Sequence, residues 1–349
     1  MADEPHTPLR LSLDGSALVE NWRNLAALSG PHAACGAAIK ADGYGLGACE
    51  VATHLASAGC KDFFAANWQE AHELAPHLAG ASLTVLNGIL PEDMPFAIAS
   101  TAKPMLNSPE QVELWRGTGL PCDIMIDSGM NRLGINLDDV PGINWDGLNI
   151  DVLSSHLASA DEDVVQNSDQ LAAFESVFDV VPHKRKSLAN SAGIALGSDY
   201  AFDLTRPGLA IYGGIPRQQL TGLINPVATI EAQVLQVRSL NAGDKIGYNA
   251  TRITDRPLRA AVIAIGYADG YLRGYSNAGI FYSNSSALPV LGRVSMDLVI
   301  LDISGASDLS EGDWVQLPLD LPTLSRQSGL SQYEILTGLG QRYQRNWRN

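Results

Sequence analysis

Lys40 is the residue of this chain whose neighbours best suit it to covalent chemistry. It ends the run Gly36-Ala37-Ala38-Ile39-Lys40, and Ala41-Asp42-Gly43-Tyr44-Gly45-Leu46-Gly47 follows at once. The short, apolar, uncharged stretch before the lysine reads as a strand covered on both faces. An amine where such a strand emerges is partly desolvated, which lowers its pKa and suits it to imine formation with a carbonyl. The glycines beyond it leave backbone N–H groups uncovered, and 47–58 reads as a helix whose N-terminus would attract a phosphate. Tyr44 places a hydroxyl beside them. Lysine, phosphate cradle and hydroxyl together point to pyridoxal 5′-phosphate (PLP).

Further segments carry polar groups at the ends of apolar runs: DSGMNRLG at 127–134, SSHLASAD at 154–161, ANSAG at 189–193, TRPGLAIYGG at 205–214, AIGYADGYLRGYSN at 264–277 and GRVSMDLVIL at 292–301. Taken singly, Arg132 reads as a surface charge and His156 as a satisfied core residue. Asn190-Ser191 reads as a common polar turn, Tyr267 as a packing residue with a wet tip, and Met296 as an inward strand residue. In this order, together with IKADGYGLG, the segments resemble the alanine racemase family nearly end to end.

The resemblance implies PLP bound to Lys40, with Tyr44, His156, Asn190, Ser191, Arg206, Gly208 and Leu209 binding the cofactor. It places Arg132, Met296 and Asp297 at the substrate, and it implies no metal. Arg132 would donate to the cofactor's phenolic oxygen and the substrate carboxylate. His156 would lie against the pyridine ring and bond the catalytic tyrosine. The Ser191 hydroxyl and the Gly208 and Leu209 amides would hold the phosphate, and Arg206 would face the ring nitrogen. An arginine there leaves the ring unprotonated and a weaker electron sink, which favours proton exchange at Cα over decarboxylation or transamination. The two acid/base groups would be Lys40 on the D face and Tyr267 on the L face, Tyr267 coming from the second subunit of a homodimer with composite sites. One position departs from the family: many members brace this arginine with a CO2-modified lysine, and Met125 stands at the matching place.

These residues need a frame. Strand-like runs fall at 62–67, 83–87, 103–107, 122–127, 151–157, 186–190 and 204–212, with helical patterns between most of them, as at 68–78, 108–116 and 163–178. With the lysine strand they make eight alternating units, the pattern of a (β/α)8 TIM-type barrel, and the polar residues gather at the C-terminal strand ends where barrel enzymes place their chemistry. Past about residue 220 the segments 227–239, 259–265, 279–283, 288–303 and 313–317 alternate at period 2, an antiparallel β domain. The expected division is therefore a barrel at 1–220 and a β-rich domain at 221–349, with the first strand (9–13) free to join the latter. A helix follows that strand at 16–29, and the tail from Ser331 starts as a helix and ends basic.

The net charge of −15 argues against nucleic acid and anionic membrane surfaces as partners. Cys35, Cys49, Cys60 and Cys122 lack metal-ligand spacing and read as free thiols of a reducing compartment. The opening MADEPHTPLR has no apolar h-region, and no stretch approaches the roughly 20 apolar residues of a bilayer span, so a cytoplasmic protein is expected. The resemblance implies interconversion of L- and D-alanine, to supply D-alanine for cell-wall peptidoglycan or to degrade it. The alternatives are a racemase of broader specificity, a PLP-dependent decarboxylase, and a non-catalytic PLP carrier. Arg206 and the absence of cysteine after residue 122 weigh against the decarboxylase, and Tyr267 with its β domain against the carrier.

Overall fold

The computed structural model describes residues 5–78 and 80–348; residues 1–4, which hold the early acids of the opening segment, and 349 lie outside it. The chain separates into two compact units, one spanning Leu18–Asn225 and the other taking the chain up to Ala17 together with Pro226 onward.

The Leu18–Asn225 unit is a ring of parallel strands. Ala37–Ala38, Asp62–Ala65, Ser82–Val85, Lys103–Leu106, Pro121–Asp127, Asn149–Ser154 and Arg185–Ser187 lie side by side in that order. Leu204–Thr205 completes the ring: it pairs in parallel with Ala34–Cys35, the first half of the lysine strand. On its other side Asp203 N–H donates to Lys186 O at 3.1 Å and Arg206 N–H to Ala189 O at 2.8 Å. Gly36 lies between the two halves of the lysine strand, and a Cβ there would lie 2.7 Å from the Asp62 carbonyl oxygen, so the close approach requires glycine. Helices such as Ala48–Ala58, Trp68–Leu74, Pro109–Trp115 and Gln166–Glu175 alternate with these strands, and Phe63, Ile124, Ile126, Val152 and Leu204 are fully or nearly fully buried. This is the (β/α)8 barrel.

Charge is buried toward the N-terminal ends of the strands. Lys103 Nζ meets Asp123 at 2.7 Å and Asp151 at 2.5 Å, and Arg185 bridges Asp151 at 2.9 Å to Asp62 at 2.8 Å. Thr84 Oγ1 also donates to Asp123 at 2.7 Å. The belt lies at the end of the barrel associated with stability rather than chemistry.

The second unit is an eight-stranded sheet in the order Leu258–Ile263, Val299–Asp302, Ser286–Leu291, Ile280–Ser283, Trp314–Pro318, Ala228–Leu240, Leu9–Asp14, Gln344–Arg348. Ala228–Leu240 also pairs with Leu258–Ile263, so the sheet closes on itself. Its pairings are antiparallel except the last, and the first strand of the chain belongs to it.

Three segments differ from their sequence reading. The run 204–212 stops as a strand at Thr205, because Pro207 lacks an N–H and Leu209–Tyr212 winds into a 3₁₀ turn. The run 288–303 is two strands separated by a loop opening at Gly292, whose φ is 74°. The tail folds as a helix at Gln332–Thr337 and then as the strand Gln344–Arg348, whose polar sequence carries no period-2 apolar signal. Among the described residues no helix is long and apolar enough to cross a membrane.

Candidate active site

Lys40 leaves its strand into a turn of the rare left-handed kind. Ala41, Asp42, Gly43 and Tyr44 all have φ between 52° and 59°. Such backbone costs about 1–2 kcal/mol per non-glycine residue. Two carboxylates hold it: Glu70 accepts from Ala41 N–H at 2.8 Å and from Ala66 N–H at 2.7 Å, and Asp42 accepts from Ala48 N–H at 3.0 Å. The last bond corrects one expectation. At the N-terminus of the helix Ala48–Ala58, expected to attract a phosphate, the first amide is instead taken by the chain's own Asp42. Asn67 caps the helix that carries Glu70, accepting from Glu70 N–H at 2.9 Å.

Burial lowers the Lys40 pKa, the Arg132 charge lowers it further, and Glu70 opposes both. His156 feels the same neighbourhood: burial first, then the charges of Arg206, Arg132 and Lys40, bring it down to about 3. The charges of Arg206, Arg132 and Lys40 are thus all felt at His156, and that of Arg132 at Lys40. Arg206 is 7% exposed. Its Nη2 donates to Ser155 O at 2.6 Å, and its Nη1 to the hydroxyls of Ser187 and Ser154, leaving Nε without a partner among the described residues. Burial brings its pKa down to about 10, so it stays charged at neutral pH.

A second group of residues surrounds Gly208. The Ser191 hydroxyl oxygen accepts from Gly208 N–H at 2.9 Å and from Ala210 N–H at 3.1 Å, while Leu209 N–H between them has no partner among the described residues. A Cβ on Gly208 would fall 2.1 Å from the Tyr44 hydroxyl, so that hydroxyl lies directly over the glycine. Tyr44 stacks on Tyr212 at 4.6 Å between centroids, and Tyr212 donates to Ala38 O at 2.8 Å. Asn190 spends its side-chain oxygen on Gly193 N–H at 2.9 Å, capping the short helix Ser191–Ile194.

Arg132 is exposed; its backbone N–H donates to Asp127 at 3.2 Å, and its guanidinium has no hydrogen-bond or ion-pair partner among the described residues. Met125 is 8% exposed in the strand before it.

The remaining sequence candidates lie in the β unit. Tyr267 N–H donates to Ser295 O at 3.0 Å and Ala268 N–H to Met296 O at 3.0 Å, which brings Tyr267, Met296 and Asp297 together. The Met296 N–H and the Tyr267 hydroxyl have no hydrogen-bond partner among the described residues. Asp297 accepts from Arg342 at 2.7 Å.

Sequence reasoning missed the supports. Ser154, Ser155 and Ser187 hold Arg206, and nothing in their spacing announces it. Glu70 could have been found, because Asn67-Trp68-Gln69-Glu70 is a capping pattern at a helix start.

A parallel barrel with a partly desolvated lysine where its first strand ends, joined to a closed antiparallel β unit, defines a lysine-bearing barrel enzyme with an appended β domain. Residues 13–216 match the alanine racemase N-terminal domain and 227–347 the alanine racemase C-terminal domain. The chain belongs to the alanine racemase family. It is 40% identical over 355 residues to a catabolic alanine racemase of Agrobacterium fabrum, covering 97% of this chain and 91% of that protein. To the biosynthetic alanine racemase of the same organism it is 37% identical over 369 residues, covering 97% and 94%. Its fold matches the crystal structure of the Bartonella henselae alanine racemase with covalently bound pyridoxal phosphate at a TM-score of 0.91, with 38% identity over 99% of this chain and 100% of that one. It matches the biosynthetic enzyme of Pseudomonas aeruginosa at 0.87, with 30% identity over 99% and 100%.

Proposed function

We propose that this protein interconverts L- and D-alanine with PLP as cofactor, in the cytoplasm, as a homodimer in which the partner subunit's Tyr267 completes each site. The observation that carries the reading is Lys40: an amine of lowered pKa sharing one neighbourhood with Arg206, Arg132 and a neutral His156. The Bartonella henselae relative holds its pyridoxal phosphate covalently.

The residues present fit that group. Leu209 offers an N–H with no partner among the described residues beside the Ser191 hydroxyl, whose oxygen accepts two amides and leaves its proton to donate. The Tyr44 hydroxyl lies over Gly208, where any side chain would displace it. These donors would hold the phosphate, Lys40 would hold the aldehyde carbon, and Arg206 would face the ring nitrogen with a charge it keeps at neutral pH. Bound PLP supplies an electron-withdrawing ring that acidifies the Cα–H of an attached amino acid.

The chain's own groups do the rest. The Arg132 guanidinium, which no acid of the described residues neutralises, binds the substrate carboxylate, and the unpaired Met296 N–H donates to it with Asp297 alongside. The Lys40 amine takes or returns the Cα proton on the D face, and the Tyr267 phenol does so on the L face. His156, with a pKa near 3, stays neutral across the working range and can bond the phenol without adding charge.

The test is L-alanine in heavy water. D-alanine labelled at Cα is the expected product; CO2 release would identify a decarboxylase, and a visible cofactor band without exchange a carrier. Lys40→Ala should remove the band. Tyr267→Phe should keep it while slowing L-face exchange by about 100-fold or more, the usual scale of general acid–base catalysis. Undiminished racemisation in that variant would refute the two-base scheme.

A further inference from the structure

The Tyr267 turn is gripped from two sides. A Cβ on Gly266 would fall 2.2 Å from the Met296 carbonyl oxygen, and one on Gly270 would fall 2.4 Å from the Gly338 carbonyl oxygen. Asp269 lies between, 1% exposed. Its backbone oxygen accepts from the Tyr343 hydroxyl at 2.9 Å and from Gly340 N–H at 3.2 Å. Its carboxylate accepts from Gly266 N–H at 2.9 Å and from both arms of a guanidinium fork, Arg342 Nε at 2.6 Å and Nη2 at 2.7 Å. The third nitrogen of that fork, Nη1, reaches Asp297 at 2.7 Å.

Stability alone accounts for half of this. A buried carboxylate needs a partner, and Arg342 supplies one. The arm to Asp297 is different: both side chains are about half exposed, at 50% and 54%, and a pair so wet contributes little to folding. It does fix a distance. One planar group ties Asp269 of the Tyr267 turn to Asp297 beside Met296. The phenol hydroxyl has no hydrogen-bond partner among the described residues, and the Arg273 guanidinium lies over its ring at 5.2 Å.

We infer that Arg342 is a positioning residue for proton exchange at Tyr267, holding the phenol and the Met296–Asp297 loop in one register. The inference rests on the racemase reading. Lysine in its place keeps a cation for Asp269 but cannot span both carboxylates, because it lacks the rigid fork. A register error should therefore slow the step at Tyr267 and spare the step at Lys40.

The experiment compares Arg342→Gln and Arg342→Lys with the wild type, each loaded with PLP. Two rates are followed from D-alanine in heavy water: exchange at Cα with retention, which needs Lys40, and inversion to L-alanine, which also needs Tyr267. The ratio of exchange to inversion should rise at least tenfold in the glutamine variant and less in the lysine variant, with the cofactor band unchanged. Amide hydrogen exchange at 266–270 and 295–297 should quicken in both. An equal fall in both rates, or wild-type behaviour of the glutamine variant, overturns the inference. If the glutamine variant does not fold, Asp297→Asn leaves the Asp269 fork intact and should raise the same ratio; an unchanged ratio there overturns it too. A wild-type chain that exchanges no Cα hydrogen would sink the racemase reading instead, and protection of the two loops would then decide the clamp alone.

Discussion

At the scale of single residues the barrel site is a crowd of cationic groups. Lys40, Arg132, His156 and Arg206 lie near enough that burial and mutual repulsion bring His156 down to about 3, and lower Lys40 as well. Two arginines cannot shed their charge in the working range, so the lysine and histidine are the members that give way. The direction of the Lys40 shift suits the proposed chemistry, because a lowered pKa makes the amine easier to deprotonate for attack on a carbonyl. The proposed phosphate seat depends on one missing side chain. With Gly208→Ala the new methyl would meet the Tyr44 hydroxyl at 2.1 Å, and either the tyrosine or the 208–210 backbone must shift. Titrating the apo-protein with PLP should show at least a tenfold weaker apparent affinity for this variant, read from the visible band. Affinity equal to wild type would mean that Tyr44 and the Gly208 segment do not hold the phosphate.

At the scale of elements, what the sequence showed and what it hid divide along physical lines. Alternating strands and helices were legible because burial imposes periodicity, and Lys40 because a charge where an apolar run ends stands out, whereas His156 and Arg206 entered the candidate site through the family resemblance. The left-handed turn at 41–44 was not. Asp42-Gly43 announces a turn, but a run of four positive φ values rests on Glu70, which arrives from another helix. The final strand was hidden for the opposite reason: Gln344–Arg348 pairs along an edge through its backbone, so its side chains need no pattern. The buried charge belt was hidden too, because Lys103, Asp123, Asp151 and Arg185 look like ordinary strand-end polarity until the ring closes. It carries its own prediction. Burial works to raise the Asp151 pKa, but hydrogen bonds from Arg185 and Lys103 outweigh it and bring it from 3.8 to about 2. A carboxyl depressed in the folded state contributes stability above its unfolded pKa and loses it as pH falls toward the folded one. Asp151→Asn should therefore cost about 2 kcal/mol near neutral pH. Its denaturation midpoints should converge with those of the wild type as pH falls below 3.8 toward about 2, and a constant gap across that window would contradict the assignment.

At the scale of the whole molecule, the groups assigned to the two faces of Cα fold in different units of the chain, Lys40 in the barrel and Tyr267 in the β unit. A single copy and a pair of copies then make different demands on genetics. If each site draws Lys40 from one subunit and Tyr267 from the other, a chain lacking the lysine still carries a usable tyrosine, and a chain lacking the tyrosine a usable lysine. Lys40→Ala and Tyr267→Phe are each expected to be inactive alone. Co-expressed in equal amounts with random pairing, half of the dimers are hybrids, and in each hybrid one of two sites has both groups intact. Activity should return to about a quarter of wild type, as the symmetry of a twofold assembly requires. Separately purified variants, mixed without dissociation, should stay inactive until subunits exchange, and the time course of recovery would then report how tightly the pair is held. If both groups came from one subunit, every hybrid would contain only broken sites and no mixture would regain activity.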